Sequence, residues 1–254
     1  MSKTKKSALV LSVDTLGEGI TQIWLSCKEV ASEAVAGQFI NVYCNDNTRI
    51  LPRPISICEI DKEEGKLRIV FRVVGSGTDE FSKLKEGDSI DIMGPLGNGF
   101  TLKDETAIIM GGGIGIPPML EVAKQLTCEK TIVLGYRDSL FLKDEFEKYG
   151  KVVVSTEDGS FGTKGNVIDA IKENDVKGKV IYACGPKPML KGIKAYALEN
   201  NIEAQISMEE RMACGIGACL ACVCKSSQVD AHSNVNNKRV CKDGPVFYAQ
   251  EVEL

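Results

Sequence analysis

The 254-residue sequence lacks features that several classes of protein require. It contains one histidine, His232, which excludes a Rieske centre because such a centre needs two imidazole ligands. No apolar run approaches the roughly 20 residues that span a bilayer, so we expect no membrane contact. The net charge of −4 and the absence of a Lys/Arg stripe predict no nucleic-acid binding. The basic N-terminus has too short an apolar stretch for a signal peptide, which predicts a cytoplasmic protein.

Cysteine, in contrast, is abundant, with ten residues. In a reducing cytoplasm, clustered cysteines more often bind a metal than form disulfides. No pair of side chains suited to acid–base catalysis on an organic substrate is evident, so we expect no catalytic residue in the usual sense.

The patterning predicts three domains. Residues 1–100 show short alternating strands broken by glycine and no helical pattern, which predicts an antiparallel β-barrel. Residues 101–207 alternate near-continuous apolar strands with helical stretches, which predicts an α/β domain with a parallel sheet. Residues 208–254 are rich in cysteine, show little core-forming periodicity and are too few to fold alone without a staple.

Two glycine-containing loops of the α/β segment each follow an apolar strand and open a helix. The first runs from Gly111 to Gly115, and Ile116 breaks the full G-x-G-x-x-G fingerprint. The second contains Cys184, followed by Gly-Pro. Loops at the carboxyl ends of parallel strands border the crevice that binds nucleotides, which favours a phosphate-binding role. A tight turn for the first loop and a buried small side chain for Cys184 remain the alternatives.

In the barrel segment, Arg53 and Ser56 stand three residues apart and are stiffened by prolines. An arginine can bridge phosphate oxygens and a serine can donate to an anion, although a surface arginine on an edge strand is the simpler interpretation. Residues 74–78 predict a turn whose bare N–H groups form an anion nest.

The order Arg-Pro-Ile-Ser, Gly-Gly-Gly-Ile-Gly and Cys-Gly-Pro resembles the ferredoxin–NADP reductase superfamily. That resemblance implies a FAD-binding barrel and an α/β domain that binds NAD(H). The flavin-site residues it implies are Arg53, Pro54, Ile55, Ser56, Val70, Phe71, Arg72, Gly77 and Thr78. The nicotinamide-nucleotide residues it implies are Gly111, Gly112, Gly113, Gly115, Cys184, Gly185 and Pro186.

The choice between NAD and NADP follows from charge at the end of the third parallel strand. Members that use NADP carry an arginine there for the 2′-phosphate, whereas Thr156 stands at that position here. Glu157 and Asp158 would repel the phosphate, so we predict NAD(H).

The C-terminal segment carries Cys214-x4-Cys219-x2-Cys222, the spacing of plant-type [2Fe–2S] proteins, which need a distant fourth cysteine. Cys241 fits that position, and Cys224 is predicted to be a free thiol. A structural zinc site, in an otherwise colourless nucleotide-binding module, is the alternative, although zinc sites usually pair two C-x2-C units.

The cysteine motifs closely resemble those of the electron-transfer subunits of dihydroorotate dehydrogenase B, across essentially the whole chain. That resemblance implies a small C-terminal [2Fe–2S] domain and a partner catalytic subunit containing FMN, in a heterotetramer of two copies of each. It implies electron transfer from the FMN, through the cluster and FAD, to NAD⁺ in pyrimidine biosynthesis. A small subunit of NADH-dependent ferredoxin–NADP oxidoreductase is the second candidate, although those proteins tend to have aspartate where Cys214 stands. The long polar loop before Cys241 is a departure from the family.

Overall fold

The computed structural model describes residues 4–46, 48–137, 139–229 and 234–254. His232 lies outside the described residues. Six strands close into an antiparallel barrel in the order β1-β2-β5-β4-β3-β6. They are β1 (Lys6–Gly17), β2 (Ile20–Ser26), β3 (Phe39–Val42), β4 (Arg53–Asp61), β5 (Lys66–Arg72) and β6 (Ser89–Leu96).

The barrel encloses a core of aliphatic side chains that alternate along its strands. Ile40 and Val42 of β3, with Ile55 and Ile57 of β4, lie inside this core. Their neighbours along each strand therefore face outward, because successive side chains of a strand point to opposite faces. The outer face of β3 and β4 is where the rest of the chain packs.

Two short helices interrupt the barrel, which corrects the expectation of no helix before residue 100. They are α1 (Lys28–Glu33) and α2 (Ser76–Ser82). With six and seven residues, each makes too few turns for a helical period to stand out in the sequence. The second replaces the turn expected at residues 74–78, and the Thr78 hydroxyl caps its start by accepting from the N–H of Gly75 at 3.2 Å.

The second sheet has seven strands in the order β10-β9-β8-β7-β11-β12-β15. It is parallel except for β15, which pairs antiparallel with β12. Its strands are β7 (Ala107–Gly112), β8 (Lys130–Tyr136), β9 (Lys151–Thr156), β10 (Thr163–Lys164), β11 (Val180–Cys184), β12 (Glu203–Ser207) and β15 (Val246–Tyr248).

Helices cover this sheet, and the predicted strand–helix alternation is confirmed. A 3₁₀ turn (Gly113–Gly115) precedes α3. The helices are α3 (Pro117–Gln125), α4 (Lys143–Phe146), α5 (Val167–Glu173) and α6 (Lys187–Glu199). Within the described part of the chain, none of the helices combines the length and apolarity that a membrane crossing needs.

The cysteine-rich segment has little secondary structure, but it packs against both the barrel and the α/β sheet. It contains β13 (Val223–Lys225), β14 (Asn237–Arg239) and α7 (Val240–Asp243) before it returns as β15. One hydrophobic core joins Phe39 of the barrel, Ile206 of β12 and Cys222 of the cysteine segment. The segment is therefore fixed between the barrel and the sheet, and its β15 completes the sheet.

Candidate functional site

A two-stranded ribbon brings the distant cysteine to the cysteine loop. Strands β13 and β14 pair antiparallel, with Val223 opposite Arg239. Immediately beyond this pair, the N–H of Val240 donates to the Cys222 carbonyl at 3.0 Å. Cys241 follows on α7 and is thereby held beside Cys222, although 18 residues separate the two in the sequence.

The four cysteines predicted as ligands form two contacting pairs, Cys214 with Cys219 and Cys222 with Cys241. Among the described residues, no three His, Cys, Asp or Glu side chains converge closely enough to hold a single metal ion. A [2Fe–2S] cluster divides four cysteine ligands between two irons, so two pairs of sulfurs fit such a cluster.

Backbone N–H groups of the cysteine loop point at the sulfurs. Those of Ile216 and Ala218 donate to Cys214 Sγ at 3.5 and 3.3 Å, and that of Gly217 donates to Cys241 Sγ at 3.1 Å. Donors around thiolate sulfur stabilise its negative charge, which is the environment that an iron–sulfur cluster requires. The residues present therefore fit the cluster in their donors as well as in their spacing.

Glycine is needed where this loop turns. Gly215 and Gly217 adopt φ of +67° and +85°, the left-handed region that side chains disfavour. A Cβ on Gly217 would lie 2.7 Å from Lys242 of α7. These two conformations let consecutive N–H groups face the sulfurs instead of continuing along an extended chain.

The cysteines differ in how readily they ionise. Burial opposes ionisation of Cys214, yet N–H donation from the loop and contact with Cys219 lower its pKa to about 6. Burial and the neighbouring Cys222 raise the pKa of Cys241 to about 12. Cys224 lies on β13 within the hydrophobic core, and burial raises the pKa of its thiol. It behaves as a buried core residue, in keeping with the free thiol predicted for it.

The Arg-Pro-Ile-Ser motif begins β4. Its Pro54 and Ser56 lie directly opposite Asn41 and Phe39 of β3. Directly opposed residues of an antiparallel pair point to the same face, which here is the outside of the barrel. Ile55 points into the barrel, so its side chain is part of the core.

Arg53 rests on the start of α2. A Cβ on Gly77 would lie 2.5 Å from Arg53 Nε, so only glycine leaves room for the guanidinium there. The Thr78 hydroxyl also accepts a hydrogen bond from the N–H of Val74 at 3.0 Å, which fixes the backbone before α2 next to Arg53. The structure thus brings together three of the residues predicted for the flavin site.

The three residues predicted from β5 diverge. Val70 packs in the core between barrel and α/β domain, whereas Phe71 points into the barrel and meets Phe81 edge-to-face at 6.1 Å. Arg72 is exposed at the strand end. Any role of Phe71 at a ligand would therefore involve its backbone.

The two glycine loops of the α/β domain touch each other. A Cβ on Gly115 would lie 2.5 Å from the carbonyl carbon of Cys184 and 2.6 Å from the nitrogen of Gly185. A Cβ on Gly112 would meet the sulfur of Met189 at 2.2 Å and lie 3.4 Å from Pro186. Backbones this close leave a cleft edge made of N–H groups and helix N-termini, which suits a pyrophosphate.

The outer edge of the first loop is open. Gly113 has φ of +53° and nothing within 4 Å of an added Cβ, whereas a Cβ on Gly111 would lie 2.9 Å from the Cα of Ile116. Gly111 also pairs with Cys184 across β7 and β11. Burial raises the pKa of the Cys184 thiol to about 12, so this side chain is neutral.

The loop that was predicted to select the nucleotide follows β9. Thr156 is fully buried, and its hydroxyl donates to the Phe161 carbonyl at 2.9 Å, so it closes the loop instead of facing a ligand. Glu157 and Asp158 are exposed. The N–H of Ser160 lowers the pKa of Asp158, which keeps its negative charge.

Family models match the three parts of the chain in order. An oxidoreductase FAD-binding domain matches residues 17–100, and an oxidoreductase NAD-binding domain matches residues 109–195. The iron–sulfur cluster binding domain of dihydroorotate dehydrogenase B matches residues 209–253. The predicted fold class and the predicted set of flavin, nicotinamide nucleotide and iron–sulfur cluster are confirmed.

Curated relatives agree over most of the chain. The "dihydroorotate dehydrogenase B (NAD(+)), electron transfer subunit" of Fusobacterium nucleatum is 47% identical over 234 residues, covering 86% of each chain. The protein of the same name from Streptococcus mutans is 43% identical over 260 residues, covering 98% of each. The chain belongs to this family.

A solved structure resembles the chain over its full length. It is that of an NADH-dependent reduced ferredoxin-NADP oxidoreductase, with a TM-score of 0.87 and 32% identity, covering 100% of this chain and 91% of the other. The chain therefore belongs to the dihydroorotate dehydrogenase B electron-transfer subunits and shares its fold with this oxidoreductase.

Two features of the site were missed by the sequence reasoning. Asn41 of β3 donates from Nδ2 to the Cys214 carbonyl at 3.0 Å and so joins the barrel to the cysteine loop. Arg68 of β5 is buried and bridges Glu59 of the barrel, at 3.0 Å, to Glu145 of α4, at 2.6 Å. An asparagine inside an apolar strand, Phe-Ile-Asn-Val, was the signal for the first. Arg68 gave no such signal in the sequence, because its partner Glu145 lies 77 residues away.

Proposed function

We propose that the chain is the electron-transfer subunit of an NAD-dependent dihydroorotate dehydrogenase. In that role it accepts electrons from the FMN of a partner catalytic subunit and delivers them, through a [2Fe–2S] cluster and FAD, to NAD⁺ in pyrimidine biosynthesis. The observation that carries the proposal is the packing of the cysteine loop on the outer face of the barrel. Asn41, opposite Pro54 of the flavin motif, contacts Cys214 of that loop.

Flavin supplies the exchange between two-electron hydride chemistry and one-electron transfer. The chain's own residues hold each group. Arg53 is placed to bind a phosphate of the flavin nucleotide, and Ser56 shares the outer face of β4. Gly111 to Gly115 and Cys184 to Pro186 border the NAD site, while Cys214, Cys219, Cys222 and Cys241 are the proposed ligands of the cluster.

The face that carries the cysteine loop is suited to a partner protein. Cys219 is exposed, and its neighbour Leu220 leaves 62% of its surface accessible. Ile216 on the same loop is also exposed. Exposed apolar side chains around an electron-transfer group favour a protein surface over water as the neighbour. We propose that this face docks the FMN-containing subunit, in a heterotetramer of two copies of each.

A cytoplasmic location forms part of the proposal. All ten cysteines of the chain lie among the described residues, and none of them forms a disulfide. A reducing compartment prevents disulfide formation and leaves the four proposed ligands available to iron.

A second function, reduction of ferredoxin or a similar acceptor, is favoured by the full-length structural match to the NADH-dependent oxidoreductase. Both functions require the same cofactors, so cofactor analysis does not separate them. The identity of the electron donor or acceptor does.

The experiment is anaerobic co-expression with the candidate FMN subunit, followed by an assay of dihydroorotate-dependent NAD⁺ reduction. We expect a brown-yellow complex that co-elutes and turns over. A colourless chain would instead support the zinc-containing module. A coloured chain that never binds a dihydroorotate-oxidising flavoprotein, yet reduces ferredoxin with NADH, would support the second function.

A pair of matched variants tests the docking face. Leu220→Asp places a charge on the cysteine loop and should weaken co-elution while NADH still reduces the bound flavin. Leu198→Asp makes the same change at a leucine of α6 that is 53% exposed, and should leave assembly intact. Equal effects of the two variants would argue against this face.

A further inference from the structure

Asn41 occupies an unusual place in the barrel. It is fully buried on β3, between Ile40 and Val42, which point into the barrel core. Its own side chain therefore points outward, to the face that it shares with Pro54. One residue thus touches the barrel face of the flavin motif and the cysteine loop.

The contact with that loop is close and directional. Asn41 Nδ2 donates to the Cys214 carbonyl at 3.0 Å. A Cβ on Gly215 would lie 2.4 Å from Asn41 Nδ2 and 2.7 Å from its Oδ1, so the amide lies flat against the glycine. The same amide therefore both hydrogen-bonds the Cys214 carbonyl and packs against Gly215, the two residues whose peptide it holds.

The other half of the amide makes no such contact. Asn41 Oδ1 is buried and accepts no hydrogen bond from any residue that the structure describes. A buried acceptor without a donor destabilises the fold, and an apolar side chain of similar shape would avoid that cost. Asparagine is therefore poorly explained as a stabilising residue here, and the bond from Nδ2 is what distinguishes it from leucine.

We propose that Asn41 is a positioning residue for the iron–sulfur cluster, acting through the peptide of Cys214. With this peptide fixed, the N–H groups of Ile216 and Ala218 remain aimed at Cys214 Sγ, at 3.5 and 3.3 Å. This inference rests on the proposed function, because it requires that Cys214 be a ligand of the cluster.

The consequence is a reduction potential set partly by a barrel residue. Hydrogen bonds to ligand sulfur stabilise the more negative, reduced cluster and so raise its potential. Loss of the Asn41 bond frees the Cys214 peptide, weakens both N–H bonds to the sulfur and lowers the potential. The same contact fixes how the cysteine loop sits on the barrel face that carries Pro54.

The test compares Asn41→Leu and Asn41→Asp with Asn98→Leu. Asn98 is the control. It is an exposed residue just beyond β6, and its Nδ2 also donates to a backbone carbonyl of the cysteine segment, that of Asp243, at 2.9 Å. Each full-length chain is purified anaerobically with FAD and cluster bound. Iron, sulfide and FAD are quantified, and the cluster potential is measured by a redox titration followed by electron paramagnetic resonance.

We expect both Asn41 variants to retain FAD, to titrate at a more negative potential and to show altered g-values. Asn98→Leu should titrate with the wild type. Loss of iron from both Asn41 variants, with FAD retained and the control loaded, would equally support the positioning role. The inference is overturned by unchanged potentials in both Asn41 variants, by an equal shift in Asn98→Leu, or by joint loss of FAD and iron, which would indicate a purely structural residue.

These outcomes separate the inference from the proposed function. The titration uses chemical reductant and needs neither a partner nor dihydroorotate. A wild-type chain without a [2Fe–2S] signal would defeat the proposed function itself. If the wild type shows a normal [2Fe–2S] signal and the Asn41 variants have its reduction potential, only the inference about Asn41 fails.

Discussion

Replacing Gly77 with alanine should weaken FAD binding without weakening the fold. The added Cβ would lie 2.5 Å from Arg53 Nε and 2.9 Å from its Cζ, whereas ordinary contact begins at 3.4 Å. Arg53 must therefore move by roughly 1 Å, which is enough to break good hydrogen-bond geometry to a phosphate oxygen. The helix itself should tolerate the change, because alanine favours a helix over glycine by about 0.5–1 kcal/mol.

The size of the effect follows from the bond that is lost. A hydrogen bond between charged groups contributes about 1.5–3 kcal/mol. At about 1.4 kcal/mol per tenfold change, the dissociation constant of FAD should rise roughly 10- to 100-fold. The assay is fluorescence titration of the flavin-free chain with FAD, accompanied by thermal unfolding of the same preparation.

Gly75→Ala is the matched control. Gly75 precedes the same helix in extended backbone, with φ of −168°, and nothing lies within 4 Å of its added Cβ. It should bind FAD as the wild type does. If Gly77→Ala also binds FAD with unchanged affinity and stability, Arg53 does not hold the flavin from this position.

Three further predictions address the cluster, the nucleotide and the domain interface. Cys241→Ser should abolish the visible absorption of the cluster, whereas Cys224→Ser should leave it intact. Absorption spectra of anaerobically purified chains test this. The reverse pattern would mean that Cys224, and not Cys241, is the fourth ligand. NADH should reduce the flavin with a higher kcat/KM than NADPH, and replacing Glu157 and Asp158 with neutral amides should narrow that ratio; an equal or higher value for NADPH in the wild type would contradict the charge argument. Arg68→Met should lower the free energy of unfolding by about 2–3 kcal/mol. This is less than the loss expected for a fully buried ion pair, because the Glu145 carboxylate on α4 is partly exposed. Differential scanning calorimetry should then show a melting temperature lower by about 4–12 °C, and an unchanged value would mean that the ion pairs make no net contribution.

The strands and helices of the α/β domain and the cysteine spacing could be predicted from the sequence. The parallel strands are near-continuous apolar runs, and α3 and α6 are long enough to show a helical period. The cysteine spacing identified three ligand candidates, and Cys241 followed from the need for a fourth. These features are local, so their signal survives without knowledge of the fold.

Features that depend on long-range packing were not readable. Asn41 and Cys214 are separated by 173 residues, so the asparagine inside an apolar strand marks an unusual position but does not reveal its partner. Thr156 stands where members that use NADP carry an arginine, yet its hydroxyl closes its own loop, because the side-chain direction at a strand end depends on the turn that follows. The register of β4 also decides that Ile55 faces inward while Pro54 and Ser56 face outward, which the motif alone does not reveal.

Strand β15 has a consequence for biosynthesis. Because β15 lies at the edge of the seven-stranded sheet, β12 has an open edge until residues 246–248 leave the ribosome. Every proposed cluster ligand precedes those residues in the chain. The sheet that binds the nucleotide therefore reaches its final width only after the last cysteine has been translated. Maturation of the nucleotide-binding half follows synthesis of the redox segment, so a nascent chain interrupted before β15 would present an unpaired strand to its neighbours.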